Sequence, residues 1–240
     1  MTIEPDRNFT AAARTRTTEA ELDLGLRRYM LGVYDYMAGG LALTGTVAFL
    51  VASSPVAMQA IFGSGLAWII ILAPVALVFF LSFRIQRMSL GAVQTSFWVY
   101  AALNGLSLSV IFVVYAHESI ARAFFIAAAT FAGMSLYGYT TRRDLSGIGS
   151  FLLMGLIGIV IASLVSMFLA STALQFAVSI VGVLVFTGLA AYDTQKVKEW
   201  YWAGDERGVM GKKSIMGALI LYLDFINLFL FLLRFLGNRQ

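Results

Sequence analysis

The chain is 240 residues long, 60% hydrophobic and 12% charged, with a formal net charge of +4 and a mean hydropathy of +0.83. That is more apolar side chain than a soluble domain of this length can hide, so composition excludes a soluble globular protein and points to an all-α, multi-span integral membrane protein. The absence of cysteine excludes disulfides and thiolate metal centres, and the single His117 is expected to be an exposed loop residue rather than a ligand.

Residues 1–26 are polar and mixed in charge, carrying Glu4, Asp6, Arg7, Arg14, Arg16, Glu19, Glu21 and Asp23, and are expected to form a loosely ordered cytoplasmic tail. No apolar stretch precedes a small-residue cleavage site there, so no removable signal peptide is expected. Residues 27–240 read as one transmembrane domain. Seven apolar segments follow one another at 29–51, 66–86, 93–115, 120–140, 148–170, 175–199 and 214–235, each near the ~20 residues a helix needs to cross the hydrocarbon. The connections are short and turn-like, with Ser53, Ser54, Pro55, Gly63 and Gly65 in one and Gly204 to Gly208 in another. They leave no room for a soluble domain. Trp200, Tyr201 and Trp202 close the sixth segment, where amphipathic rings settle at headgroup level.

In the fifth segment Gly158, Ala162, Ser166 and Ala170 recur at every fourth position. Small residues so spaced admit a closely approaching helix, and a neighbouring span of the same chain is expected there ahead of a dimer seam. Asn104 and Asn227 are expected to act as hydrogen bonds between helices, with Asn227 also a candidate accessory polar group near the acids described below.

The cations alternate between the two sides of the membrane. Arg7, Arg14, Arg16, Arg27, Arg28, Arg84, Arg87, Arg142, Arg143, Lys196, Lys198, Arg207, Lys212 and Lys213 fall on one side, and Arg122, Arg234 and Arg239 on the other. That 14-to-3 division places the N-terminus in the cytoplasm and, after seven spans, the C-terminus outside. The positive charge is therefore a signal of topology and of contact with the bilayer, and nucleic acid is not an expected partner.

Two acids lie deep within the apolar segments, Asp193 in the sixth and Asp224 in the seventh. An ionised Asp at that depth costs about 2.5–3.5 kcal/mol on the insertion scale, so such a residue is expected to have a partner and a use. Counting 1.5 Å per residue, Asp193 lies roughly 10–12 Å below the Trp200–Trp202 belt and Asp224 roughly 16 Å beyond Lys213. Both depths start from one membrane surface, so a modest tilt brings the acids level. Two carboxylates at hydrogen-bond distance in low dielectric do not both ionise cheaply, and a shared proton makes a pH switch or a cation site. Arg84 and Arg87, one turn apart at the end of the second segment, are candidate latches for a deprotonated Asp193, against the alternative that both snorkel to phosphate headgroups. Asp35 is expected to pair peripherally with Arg28, two turns earlier.

The stretch LYLDFINLFLFLLRFLG, together with AAYDTQKVK and the seven-span profile, resembles the Bax inhibitor-1 (transmembrane Bax inhibitor motif) family in its bacterial branch. The likeness covers essentially the whole chain after the tail. It implies six helices surrounding a central seventh, and a pH-sensitive calcium leak channel with no cofactor. It also implies that Asp193 and Asp224 are the switch pair, and that Arg87, by ungapped spacing to NGLSL, is the latch in preference to Arg84. One departure stands out: the second segment, LAWIIILAPVALVFFLSF, has no acid of its own, whereas some relatives have one there. The resemblance further suggests a membrane-anchored ATP-dependent protease as a partner.

The expected function is accordingly a calcium leak through an inner-membrane protein, gated at Asp193 and Asp224. The alternative is a regulatory membrane protein acting through partners, with ion flux incidental. An intramembrane aspartyl protease is disfavoured, because no GxGD surrounds Asp224 and no PAL-type segment follows it. Calcium is expected as a permeant ion rather than a tightly held one. A full site takes 6–8 oxygens, and the sequence offers two acids and Asn227.

Overall fold

The computed structural model describes residues 7–169 and 171–238, the side chains of residues 7–20 and Met167 excepted. Most of the polar residues read as a tail, together with Ala170 and Arg239, therefore lie outside the described side chains. Among the described residues every regular element is a helix. The elements are α1 (Arg7–Ala52), α2 (Pro55–Phe62), α3 (Leu66–Arg84), α4 (Leu90–Leu108), α5 (Ile111–Val114), α6 (His117–Thr140), α7 (Ser146–Leu169), α8 (Thr172–Glu199) and α9 (Arg207–Leu236), with a 3₁₀ turn at Ile85–Arg87. Seven stretches are long and apolar enough to cross a membrane, and each overlaps a span predicted from hydropathy.

The backbone departs from expectation at the N-terminus. Where a loose tail is predicted to residue 26, α1 runs unbroken from Arg7. No proline falls between Pro5 and Pro55, and Ala11–Ala13 and Glu19–Leu22 are strong helix formers, so nothing in the sequence stops the helix before the membrane. The first loop, too, contains a helix, α2. Pro55 occupies its first turn and the Ser54 hydroxyl accepts the Ala57 N–H at 3.3 Å, an arrangement that satisfies a free donor and presets the backbone. Ser89 and Ser171 cap α4 and α8 in the same way. At the start of α7 the Asp144 carboxyl bonds the Ser146 hydroxyl and accepts its N–H at 2.8 Å, bonds that hold Asp144 below the usual carboxylate range.

The core is built on α9, which packs against α1, α4, α6 and α8. In its most apolar stretch 67% of the residues are buried, against 11–39% in the other spans. The interior it fills includes Val33, Phe97, Leu221, Tyr222 and Leu228. Its far end is tied to α6 by the Asn238 N–H donating to Ser119 Oγ and the Ala116 N–H donating to the Asn238 carbonyl, both at 3.1 Å. The spans α3 and α7 sit further out, α3 leaning on α4 and α7 on α8. Their outward faces carry exposed Trp68, Phe83, Phe151 and Phe168. In water such apolar surface would be a liability, and in a bilayer it is the surface that meets lipid.

Close helix approach rests on particular glycines. A side chain at Gly138 of α6 would collide with the Ala191 carbonyl of α8, so these two backbones are in contact. The small-residue series of the fifth span contributes to packing only in part, with Ala162 against the core and Ser166 buried. Gly158 faces open space, and the approach to α8 is made at Gly149 and Gly155, against Tyr192 and Val185. Buried Leu152 and Ile159 lie on that same face, and the bulk of these apolar neighbours, rather than the four-residue period, sets how α7 is turned.

Candidate functional site

The end of α8 is held in place one residue at a time. Thr194 donates to the Ala190 carbonyl at 2.6 Å and therefore accepts from Ser135 of α6, which in turn accepts from Tyr34 of α1. The next residue, Gln195, accepts the Leu145 N–H and donates to the Arg143 carbonyl, each at 2.9 Å, clamping the connection between α6 and α7. Lys198 donates to the Tyr139 carbonyl at 2.7 Å. The polar residues after Asp193 thus have structural partners, while Asp193 itself points the other way.

Across from it, α9 presents two polar groups on opposite faces. Tyr222 is fully buried toward α1 and α4. Its hydroxyl donates to Thr44 at 2.7 Å, Thr44 donates to the Ala101 carbonyl at 2.8 Å, and the Asn104 amide donates to the Tyr222 oxygen at 2.9 Å. Asn104 therefore makes the bond between helices expected of it. Tyr222 and Thr44 are not evident from sequence, because a tyrosine in an apolar run gives no sign of whether its hydroxyl is bonded inward or lies at the interface. Two residues on, about 200° round the helix, Asp224 faces α8.

The structure brings Asp193 and Asp224 together. Their carboxyl groups face one another within hydrogen-bonding reach. Asp224 is buried and Asp193 half-buried. The Asp224 Oδ2 atom is buried without a hydrogen-bond partner, a situation that is costly for a carboxylate oxygen and is relieved by a proton or a cation. Both acids line a cavity of about 590 Å³ between α7, α8 and α9, with Ser150, Tyr192 and Asn227 also on its wall. A second cavity of about 270 Å³ continues from it, sharing Leu156, Val160, Phe186 and Asn227 and reaching Ser163 and Phe231. Together they follow α7 from Gly149 to Leu164, roughly 22 Å along the helix axis.

Asn227 donates to the Leu223 carbonyl of its own helix at 2.8 Å. It is not the interhelical bond expected of it, since the face it occupies opens onto the cavity and offers no facing acceptor. Ser150 and Ser163, the hydroxyls of α7 along this path, escaped the sequence reading. Their sign in the sequence is only that of isolated serines in an apolar span.

The arginines lie elsewhere. Arg84 ends α3 and Arg87 ends the 3₁₀ turn, both exposed and neither in an ion pair. α3 packs on α2 and α4, and neither arginine is on the wall of the cavity that holds the acids. A cavity of about 410 Å³ lined by Ile85, Gln86, Trp200 and Lys213 lies between this turn and the α8–α9 connection. The peripheral pair of Asp35 with Arg28 is likewise not formed, and both residues are exposed. The ion pairs among the described residues are Lys196–Glu199 and Lys213–Asp205. His117 is the exposed first residue of α6. No cluster of three or more His, Cys, Asp or Glu occurs among the described residues. Two carboxyls and one amide are fewer oxygens than the 6–8 that a fully coordinated calcium ion takes.

A seven-span helical bundle wrapped round an acid-bearing central helix is the class these features define. The sequence matches the family described as "Inhibitor of apoptosis-promoting Bax1" over residues 26–240, and the chain belongs to this Bax inhibitor-1 family. It is 52% identical to inner membrane protein YbhL of Escherichia coli over 219 residues, covering 90% of this chain and 94% of that one. It is 51% identical to protein RP147 of Rickettsia prowazekii over 235 residues, covering 97% and 99% respectively. A membrane protein of Streptococcus pyogenes is 36% identical over 228 residues, 91% of this chain and 96% of its own.

Proposed function

We propose that the protein is a cation leak of the bacterial inner membrane, with calcium as the permeant ion and protonation of Asp193 and Asp224 as its gate. The observation that carries this reading is the pair of facing carboxyls on the wall of a cavity that continues along α7. In low dielectric the pair holds one proton far more cheaply than two negative charges. Losing that proton sets α8 and α9 against each other at their contact and shifts the bundle toward a second arrangement. Carboxyl, amide and hydroxyl oxygens spaced along the cavity walls offer a passing cation weak, successive partners, as conduction requires. Arg87 is the proposed counter-charge in the deprotonated state, which calls for the outlying α3 to swing inward. The N-terminus lies in the cytoplasm.

The test is calcium entry into dye-loaded proteoliposomes across roughly pH 5 to 8, a range spanning the titration expected of a coupled acid pair. Wild type is compared with the Asp193→Asn, Asp224→Asn double variant. A leak that varies with pH in wild type, and not in the variant, is the expected outcome. Purified, correctly inserted protein that passes no calcium at any pH would sink the proposal.

A further inference from the structure

Both α1 and α6 lean on α9, yet they meet each other only sparsely. An open apolar groove runs between them. Its wider part, about 550 Å³, extends along α1 from Arg27 to Leu41 and along α6 from Tyr139 to Phe131. A narrower part of about 310 Å³ begins again at Leu41 and runs to Ala48 and His117, with Phe225 and Phe229 of α9 on its wall. From Arg27 to Ala48 the groove is roughly 30 Å long, the thickness of the hydrocarbon core.

The wider part runs roughly 21 Å along α1 from Arg27 to Leu41, a length and an apolar lining that suit one extended hydrocarbon chain. The chemistry of its mouth selects the occupant. Along the slot Met30, Met37, Leu41 and Phe131 offer apolar contact. The Tyr34 hydroxyl has its proton committed to Ser135. At the mouth stand Tyr139 and Arg27, and among the described residues Arg27 carries the only formal charge on the lining. It is exposed and makes no ion pair among the described residues, at the end of the bundle where most Lys and Arg gather.

We propose that the α1–α6 groove is a binding site for one anionic phospholipid, with an acyl chain along the slot and the headgroup phosphate on Arg27. A guanidinium matches a phosphate in charge and in donor geometry. The second acyl chain stays in the bilayer.

Native mass spectrometry of the purified full-length protein, incubated with palmitoyl-oleoyl phosphatidylglycerol or the matching phosphatidylcholine, tests this. Wild type retains one phosphatidylglycerol with roughly fivefold preference, the scale expected of one cation at a membrane surface. Arg27→Gln brings the two lipids to parity. Ala132→Trp, at an exposed wall position, blocks retention of both, and Ala38→Trp on the facing wall does the same should the first variant fold poorly. Equal retention of the two lipids by wild type, or an undiminished preference in Arg27→Gln, overturns the proposal. So does a change from dimer to monomer on filling the groove, which would assign it to a second copy.

Discussion

Tyr222 and Asp224 divide the work of α9 between its two faces. The tyrosine fixes how the helix is turned, through a hydroxyl chain to Thr44 and Asn104 that leaves no donor unplaced. The aspartate, on the other side, is left facing a second acid. Tyr222→Phe removes one interhelical donor and one acceptor while keeping the ring that contacts Phe97 and Tyr100 edge-on. Hydrogen bonds between membrane helices contribute about 0.6 kcal/mol on average and about 1.7 at most. A loss of about 1 kcal/mol is therefore expected for the variant in reversible unfolding in mixed micelles. Thr44→Val should cost a similar amount, and the double variant less than the two together, since both break the same chain.

At the scale of helices, stability depends on where backbones touch. Gly138→Val drives a branched side chain into the Ala191 carbonyl, and overpacking of this kind costs about 1–3 kcal/mol. The same change at Gly158 meets open space and is expected to stay within about 0.5 kcal/mol of wild type. Comparing thermal unfolding of the two variants in one detergent checks both. The Gly158 variant also bears on the seam of α7, where the four-residue period of small residues nominates Gly158 and the structure nominates Gly149 and Gly155. The outlying α3 and α7 differ in a way that matters for the proposed leak. α7 forms a wall of the cavity that holds the acids, whereas α3 is kept from it by α4.

For the molecule as a whole, the seven spans are legible in the sequence, because apolar length and the rarity of charge report directly on burial in a membrane; the central place of α9 comes from the family resemblance, since α3 and α7 are more apolar than α9 and yet lie further out. The meeting of Asp193 with Asp224 is legible for a related reason: two acids at matching depth on consecutive spans have few other partners. What is not legible is how each helix is turned. A segment apolar all round has no moment to say which face looks inward, and so the small-residue stripe of α7, the bond made by Asn227 and the gap between α1 and α6 are visible only in three dimensions. Nor does charge at a span end reveal which neighbour lies within reach, and Arg87 accordingly stands apart from Asp193. The orientation drawn from cations has a direct check, made simple because the chain has no cysteine. In intact cells, Ser64→Cys is expected to react with a membrane-impermeant maleimide, whereas Arg142→Cys is expected to react only after the membrane is broken; the reverse pattern inverts the topology.

The deep burial of α9 also bears on how the protein is made. A ribosome releases the other six spans before this helix appears, so for that interval Val33, Phe97 and the rest of the interior line an unfilled cleft in the lipid. Assembly then resembles an arch awaiting its keystone. Until Arg207–Leu236 inserts, the nascent bundle needs lipid, or an insertase, to occupy the place where its centre will be.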